Sequence, residues 1–148
     1  MTIAWSEAWS VGNDLIDADH RHLLTLINIF EKVLSTDRPL TDLRAAVDAL
    51  FDYTQGHFAR EERIMLGLQY AKYDHHKHAH GELIEQLKQA TQPIRDLGDV
   101  MSPSTADLPR EIRDSLSGLL RHWILDHILK EDMQFKPLLA KRPGNFAP

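Results

Sequence analysis

Four stretches of this chain repeat apolar residues at three- and four-residue spacing, and each sets at least one histidine on its apolar side. In the first, from about residue 17, His20 shares a face with Leu23, Leu24 and Ile27, and Phe30 and Leu34 continue the stripe. It stops at Ser35, Thr36, Asp37, Arg38 and Pro39. The second opens at Thr41, which suits an N-cap, and its stripe is Leu43, Val47, Leu50, Phe51, Thr54, Phe58 and Met65. Gly67 predicts its end, and His57 and Glu61 sit one turn apart on it. Gly56 inside this helix costs about 1 kcal/mol against Ala, which predicts close packing there. The third runs from about 74 to about 92, stopped by Pro93 or soon after. His76 and His80 lie one turn apart on the side continued by Leu83, Ile84 and Leu87.

Residues 97–108 read as the one clear loop. Pro109 suits the first turn of a fourth helix lined by Ile112, Leu116, Leu119, Leu120, Trp123 and Ile124. That helix carries His127, Glu131 and Asp132, and Pro137 bends or ends it. Residues 1–14 hold no steady period but contain Trp5 and Trp9, which predicts an ordered arm packed over the core. Residues 141–148 read as a frayed tail. No strand-like alternation of useful length occurs. Four helices with short connections predict an all-α, up-down-up-down four-helix bundle.

Composition narrows the function. The 148 residues suit one domain with a sizeable core. The net charge of -5, with no long basic run, argues against nucleic acid as a partner. The absence of cysteine excludes disulfides, iron–sulfur clusters, thiolate zinc sites and cysteine nucleophiles. The N-terminal stretch is broken by Glu7, Asn13, Asp14 and Asp17, so neither a signal peptide nor a membrane span is visible, and the expected location is the cytoplasm.

The inward residues form a constellation: His20, His57, His76, His80 and His127, with Glu61 and either Glu131 or Asp132. His22, His75, His78 and His122 fall off these lines. Five buried imidazoles without partners would be costly. A nitrogen and oxygen donor set without thiolate suits iron, manganese or zinc. Seven donors exceed the needs of one ion, so two metals bridged by carboxylates are expected.

In order along the chain, several segments resemble the hemerythrins, and bacterial hemerythrins in particular. Trp9-Ser-Val-Gly12, then Ile16-Asp17 and His20, are similar to the family's N-terminal arm and first ligand. His20 through Asn28 is similar to its H…L…N pattern. His57-Phe58-Ala-Arg-Glu61-Glu62-Arg-Ile-Met65 resembles H-[FY]-x-x-E-E-x-x-M. His76 and His80 fit H-x-x-x-H, and Trp123 through Asp132 fits W-[LI]-x-x-H-I-x-x-x-D. Asp19 departs from the glutamine often found before the first histidine, and the loop before the fourth helix is long.

The resemblance implies a cofactor of two iron ions bridged by an oxo or hydroxo group. One iron would be held by His76, His80 and His127, and the other by His20 and His57 with an open position for dioxygen. Glu61 and Asp132 would bridge them. If both electrons come from the irons and the proton from the bridging hydroxide, no net charge enters or leaves, a change that a dry pocket tolerates. Leu23, Leu24, Ile27, Phe58, Leu119 and Trp123 are the expected lining. Reversible oxygen binding, for carriage, storage or delivery to an oxygen-consuming protein, is the leading function, and it is not enzymatic. Oxygen or redox sensing for a signalling partner is the alternative. A di-iron oxidase or peroxidase ranks below both, because such enzymes draw four carboxylates and two histidines from the bundle.

Helix geometry and resemblance disagree over the second carboxylate. On a regular helix Glu131 shares the face of His127, whereas Asp132, five residues on, points about 140° away. Asp132 is nonetheless expected. The ring of Pro137 opposes the carbonyl four residues back, so regular helix should fail near Met133. A loosened turn would then bring Asp132 round and leave Glu131 beside Lys130 in solvent.

Overall fold

In a computed structural model the described residues are 2–96 and 104–148. They form the four-helix bundle: α1 (Asp14–Ser35), α2 (Leu40–Gly67), α3 (Tyr73–Asp96) and α4 (Arg110–Lys130), followed by a single-turn α5 (Lys136–Leu139). Residues 36–39 and 68–72 are too short for anything but antiparallel neighbours. Each long helix packs on the next, and α4 closes back on α1. No strand occurs among the described residues, only one isolated bridge between Pro39 and Ser104.

Helix ends follow local signals in some places and tertiary contacts in others. α1 starts three residues before the expected position because Asn13 caps it, its Oδ1 accepting from the backbone N–H of Leu15 and of Ile16, both at 3.1 Å. Thr41 is not the N-cap of α2. The helix already begins at Leu40, after Pro39, and has no side-chain cap. α2 does end at Gly67, but not through that glycine's backbone freedom. The left-handed residue is Gln69 (φ 54), and the N–H of Tyr70 reaches back to the Met65 carbonyl at 3.0 Å, a Schellman closure. Gly67 is needed for another reason: a Cβ there would sit 2.6 Å from the ring of Pro148. α3 continues one turn past Pro93, to Asp96. Of the expected loop 97–108, residues 97–103 lie outside the described residues. The remainder holds a 3₁₀ turn, Thr105–Asp107, closed by a Ser104 capping box and tied to the α1–α2 corner by the Thr105 N–H to Arg38 carbonyl bond at 2.8 Å. Pro109 stands just before α4 rather than in its first turn.

Both termini are anchored. In the arm, Trp5 and Trp9 meet edge to face with centroids 6.1 Å apart, and the Asn28 amide exchanges two 2.8 Å bonds with the backbone of Ile3. The tail is not frayed. The Asp14 N–H donates to the Gly144 carbonyl and Asn13 Nδ2 to the Phe146 carbonyl, both at 2.8 Å, and Phe146 packs on an apolar cluster. The polar, proline-containing composition of 141–148 hid this, because the partners lie about 130 residues away in the chain.

The core is divided into two. The larger cluster contains Leu23, Leu24, Ile27, Phe58, Leu87, Leu120 and Trp123. A smaller one at the other end contains Val11, Ile16, Ile64, Met65, Phe135 and Leu139. On α1, His20 falls between Ile16 and Leu23; on α2, His57 and Glu61 fall around Phe58 and before Ile64. The polar cluster is thus walled by apolar packing above and below.

Candidate metal centre

Each helix delivers its histidines by register alone. α1 brings in His20, α2 brings His57 and Glu61, α3 brings His76 and His80, and α4 brings His127. Asp132 arrives differently. α4 ends at Lys130, Glu131 closes it with right-handed dihedrals (φ -102, ψ -53) and an N–H bond to the His127 carbonyl, and a 3₁₀ turn then spans Asp132–Phe135. Pro137 then sits in the first turn of α5, where its missing N–H costs nothing. The break rotates Asp132 inward, fully buried, while Glu131 stays half-buried at the lip of a cleft, 3.7 Å from His75 Nε2, rather than out in solvent.

All seven buried donors converge. Glu61, His76, His80, His127 and Asp132 form one group whose ligand atoms all lie within 4.8 Å of one another. His20, His57, Glu61 and Asp132 form a second group by the same measure. The two carboxylates are common to both. Asp132 Oδ1 lies 2.8 Å from His127 Nε2 and 3.0 Å from His76 Nε2, while its Oδ2 lies 3.0 Å from His20 Nε2. Glu61 Oε2 lies 2.9 Å from His80 Nε2, 3.5 Å from His76 Nε2 and 3.8 Å from His57 Nε2. Glu131 belongs to neither group.

These contacts are close but misdirected. At such distances His20, His57, His76, His80 and His127 Nε2 make no well-aligned hydrogen bond among the described residues, and neither do the oxygens of Glu61 and Asp132. Nitrogens and oxygens near 3 Å that do not point at each other point at a common space between them. Two ligands each about 2.1 Å from one ion, at right angles, are themselves about 3 Å apart. The donor set therefore fits transition-metal ions, and buried polar groups of this kind are otherwise hard to account for.

Charge tells the same story. Burial by itself would push imidazoles down and carboxyls up. For His76 the carboxylates of Asp132 and Glu61 overcome burial and raise it to about 10. His20 is raised against burial chiefly by Asp132. Glu61 comes down to about 2, against burial and the Asp132 charge, through His57, His76 and His80. Asp132 is held well below the usual carboxylate range, against burial, by His127, His20 and His76. The carboxylates favour protons on His20 and His76, and cations entering the cluster would replace those protons.

Around this cluster, Phe58 stacks on His80 at 3.8 Å between centroids and 8° between planes, and also flanks His57 and His127. Leu23, Leu24, Ile27 and Trp123 are buried; Leu119 is half-buried and lines the open cleft between α3 and α4 with Trp123 and His127. His22, His75, His78 and His122 are exposed. Two further residues escaped the sequence reading of the site. Asp19 accepts from His57 Nδ1 at 3.1 Å, and Glu62 from His80 Nδ1 at 3.0 Å. Glu62, directly after Glu61, meets His80 of α3 only once the two helices dock. Asp19 showed only as a departure from a pattern.

Comparison with known proteins agrees with this geometry. The chain is 24% identical over 145 residues to the bacteriohemerythrin of Stenotrophomonas maltophilia, covering 98% of this chain and 86% of the relative. It is 24% identical to a hemerythrin-like protein of Naegleria gruberi, covering 91% and 92% respectively. Its fold matches the crystal structure of a wild-type hemerythrin with a TM-score of 0.77 at 22% identity, covering 95% of this chain and 99% of that one. The family model of the hemerythrin HHE cation binding domain matches residues 11–139, which include every member of the buried cluster, and the chain belongs to the hemerythrin family.

Proposed function

We propose that this protein binds dioxygen reversibly at a di-iron centre, to carry, store or deliver it rather than to transform a substrate. His76, His80 and His127 would hold one ion, His20 and His57 the other, and Glu61 and Asp132 would be shared between them. The observation that carries the reading is the inequality of the two donor groups, five ligand residues against four. With both carboxylates shared equally, an ion on His20 and His57 would have one protein ligand fewer, leaving room for a small molecule. Two ferrous ions, when bound, supply the two electrons that reversible oxygen binding requires. Histidine-rich ligation separates this site from the carboxylate-rich centres of di-iron oxidases.

The chain's own part is to keep that place dry. Phe58 presses on three of the histidines. Leu23, Leu24 and Ile27, one and two turns beyond His20, continue the same apolar wall. Water and stray protons, which would turn reversible binding into oxidation, are excluded by this wall. No described helix is long and apolar enough to cross a membrane, and work in the cytoplasm is part of the proposal. The test is spectroscopic. Protein loaded with about two ferrous ions per chain should take on a visible band in air, lose it under argon and regain it over repeated cycles. Irreversible oxidation on first exposure, loading with one ion only, or turnover with an added reductant would overturn the reading.

A further inference from the structure

The five inward histidines are not equally held from behind. His57 and His80 each give Nδ1 to a carboxylate, Asp19 and Glu62 respectively, so one such pair stands on each half of the cluster. The Nδ1 atoms of His20 and His76 are buried and have no hydrogen-bond partner among the described residues. The two carboxylates also differ from each other. Glu62 is about a fifth exposed, and its charged neighbour Lys77 is 3.9 Å away. Asp19 is buried and clamped: Arg60 Nε donates to its Oδ2 at 2.8 Å, Arg60 Nη2 to its Oδ1 at 2.9 Å, and the Tyr53 hydroxyl to its Oδ1 at 2.7 Å. Gly56 makes room for the clamp, since a Cβ there would meet Arg60 Nη1 at 3.1 Å. That is the close packing its place in mid-helix foretold.

We propose that Asp19, fixed by Arg60 and Tyr53, is a positioning residue for the metal ion held by His20 and His57, and sets the affinity of that position independently of the other. The inference rests on the di-iron reading above. Its physical basis is that His57 Nδ1–H donates to a carboxylate with no freedom to turn. This fixes the tautomer that leaves Nε2 free, and it fixes the ring plane. Of the two protein histidines on that ion, His57 alone is braced, so the brace matters more there than on the three-histidine side.

The test is anaerobic titration with ferrous iron, with chelator competition to separate the two binding steps, alongside the melting temperature of the metal-free protein. In Asp19→Asn one equivalent should bind as in the unsubstituted chain while the other weakens 10- to 100-fold. Arg60→Met, on the rim of the bundle, should weaken the same step with the fold intact, which keeps the test open if Asp19→Asn does not fold. Glu62→Gln should act on the opposite step. If both variants of the clamp keep both affinities while melting lower, the network serves the fold only and the inference fails. If both steps weaken alike, Asp19 acts through the bundle as a whole and the inference fails again. Fewer than two equivalents in the unsubstituted chain would remove the di-iron reading itself, and this inference with it.

Discussion

Asp132 is the residue on which local geometry and tertiary structure differ most. Continued as regular helix, α4 would carry it about 140° away from His127. The end of α4 at Lys130 and the 3₁₀ turn from Asp132 bring it into contact with His20, His76 and His127. Asp132→Ala should therefore abolish binding of two ions, while Glu131→Ala should leave metal content and the oxygenated spectrum nearly unchanged; metal analysis of both variants decides, and an exchange of outcomes refutes the assignment. A second expectation concerns protons. In metal-free protein, His76 is raised from 6.5 to about 10, so its contribution to stability is complete below pH 6.5 and is lost as pH rises toward 10. Glu61 is lowered from 4.5 to about 2, so its contribution is present above pH 4.5 and is lost as pH falls toward 2. The melting temperature of the chelated protein should then fall on the alkaline side between these limits, and metal loading, which displaces the same protons, should flatten that fall. A flat profile for the chelated protein would show that the cluster is not coupled as described.

At the scale of elements, each helix end is decided by what meets it. Asn13 is the clearest case, because one side chain caps α1 through Oδ1 and holds the Phe146 carbonyl through Nδ2. Asn13→Ala should cost more than the roughly 1 kcal/mol of an ordinary N-cap, since the anchoring of the tail is lost as well. Denaturant unfolding measures it, and a loss well under that value would mean that the tail contributes nothing. Gly67→Ala is expected to destabilise although Ala favours helix, because the new Cβ displaces Pro148 and Phe146 from the end of α2. A stabilised variant would show that the tail gives way at no cost. Sequence pattern located the helices to within a turn because their apolar faces repeat at the helical period. It placed the end of α2 at Gly67 correctly but misread Thr41 as its cap, because cap chemistry depends on which backbone groups the neighbouring segment leaves unpaired.

For the molecule as a whole, the buried cluster couples metal to fold. Five imidazoles and two carboxylates between two apolar clusters are a liability unless cations neutralise them. Removing metal should lower the melting temperature and raise it again on reloading, by an amount that grows with free metal concentration. Equal melting temperatures would place the metal elsewhere. By contrast, alanine at the exposed His22, His75, His78 or His122 should change neither metal content nor melting temperature appreciably.

The order of helices, the inward faces and six of the seven clustered side chains were determined by the chain's own periodicity. A histidine on an apolar face of a helix has nowhere to go but the bundle axis, and one turn of spacing suffices to pair it with its neighbour. Helical period did not decide the seventh, and tertiary structure alone decided the anchoring of the tail and the bracing of His57. Asp132 enters the cluster through a break in α4 that ends in the Pro137 turn, and no helical period can express it. Residues 141–148 are held by groups at the start of α1 and the end of α2. The bracing of His57 needs Asp19 from α1 and Tyr53 and Arg60 from α2, brought together only when the two helices dock. The last two depend on groups distant in the chain, whose partnership is a matter of packing and leaves no mark on local pattern, whereas the irregular turn at Asp132 was expected from Pro137 nearby.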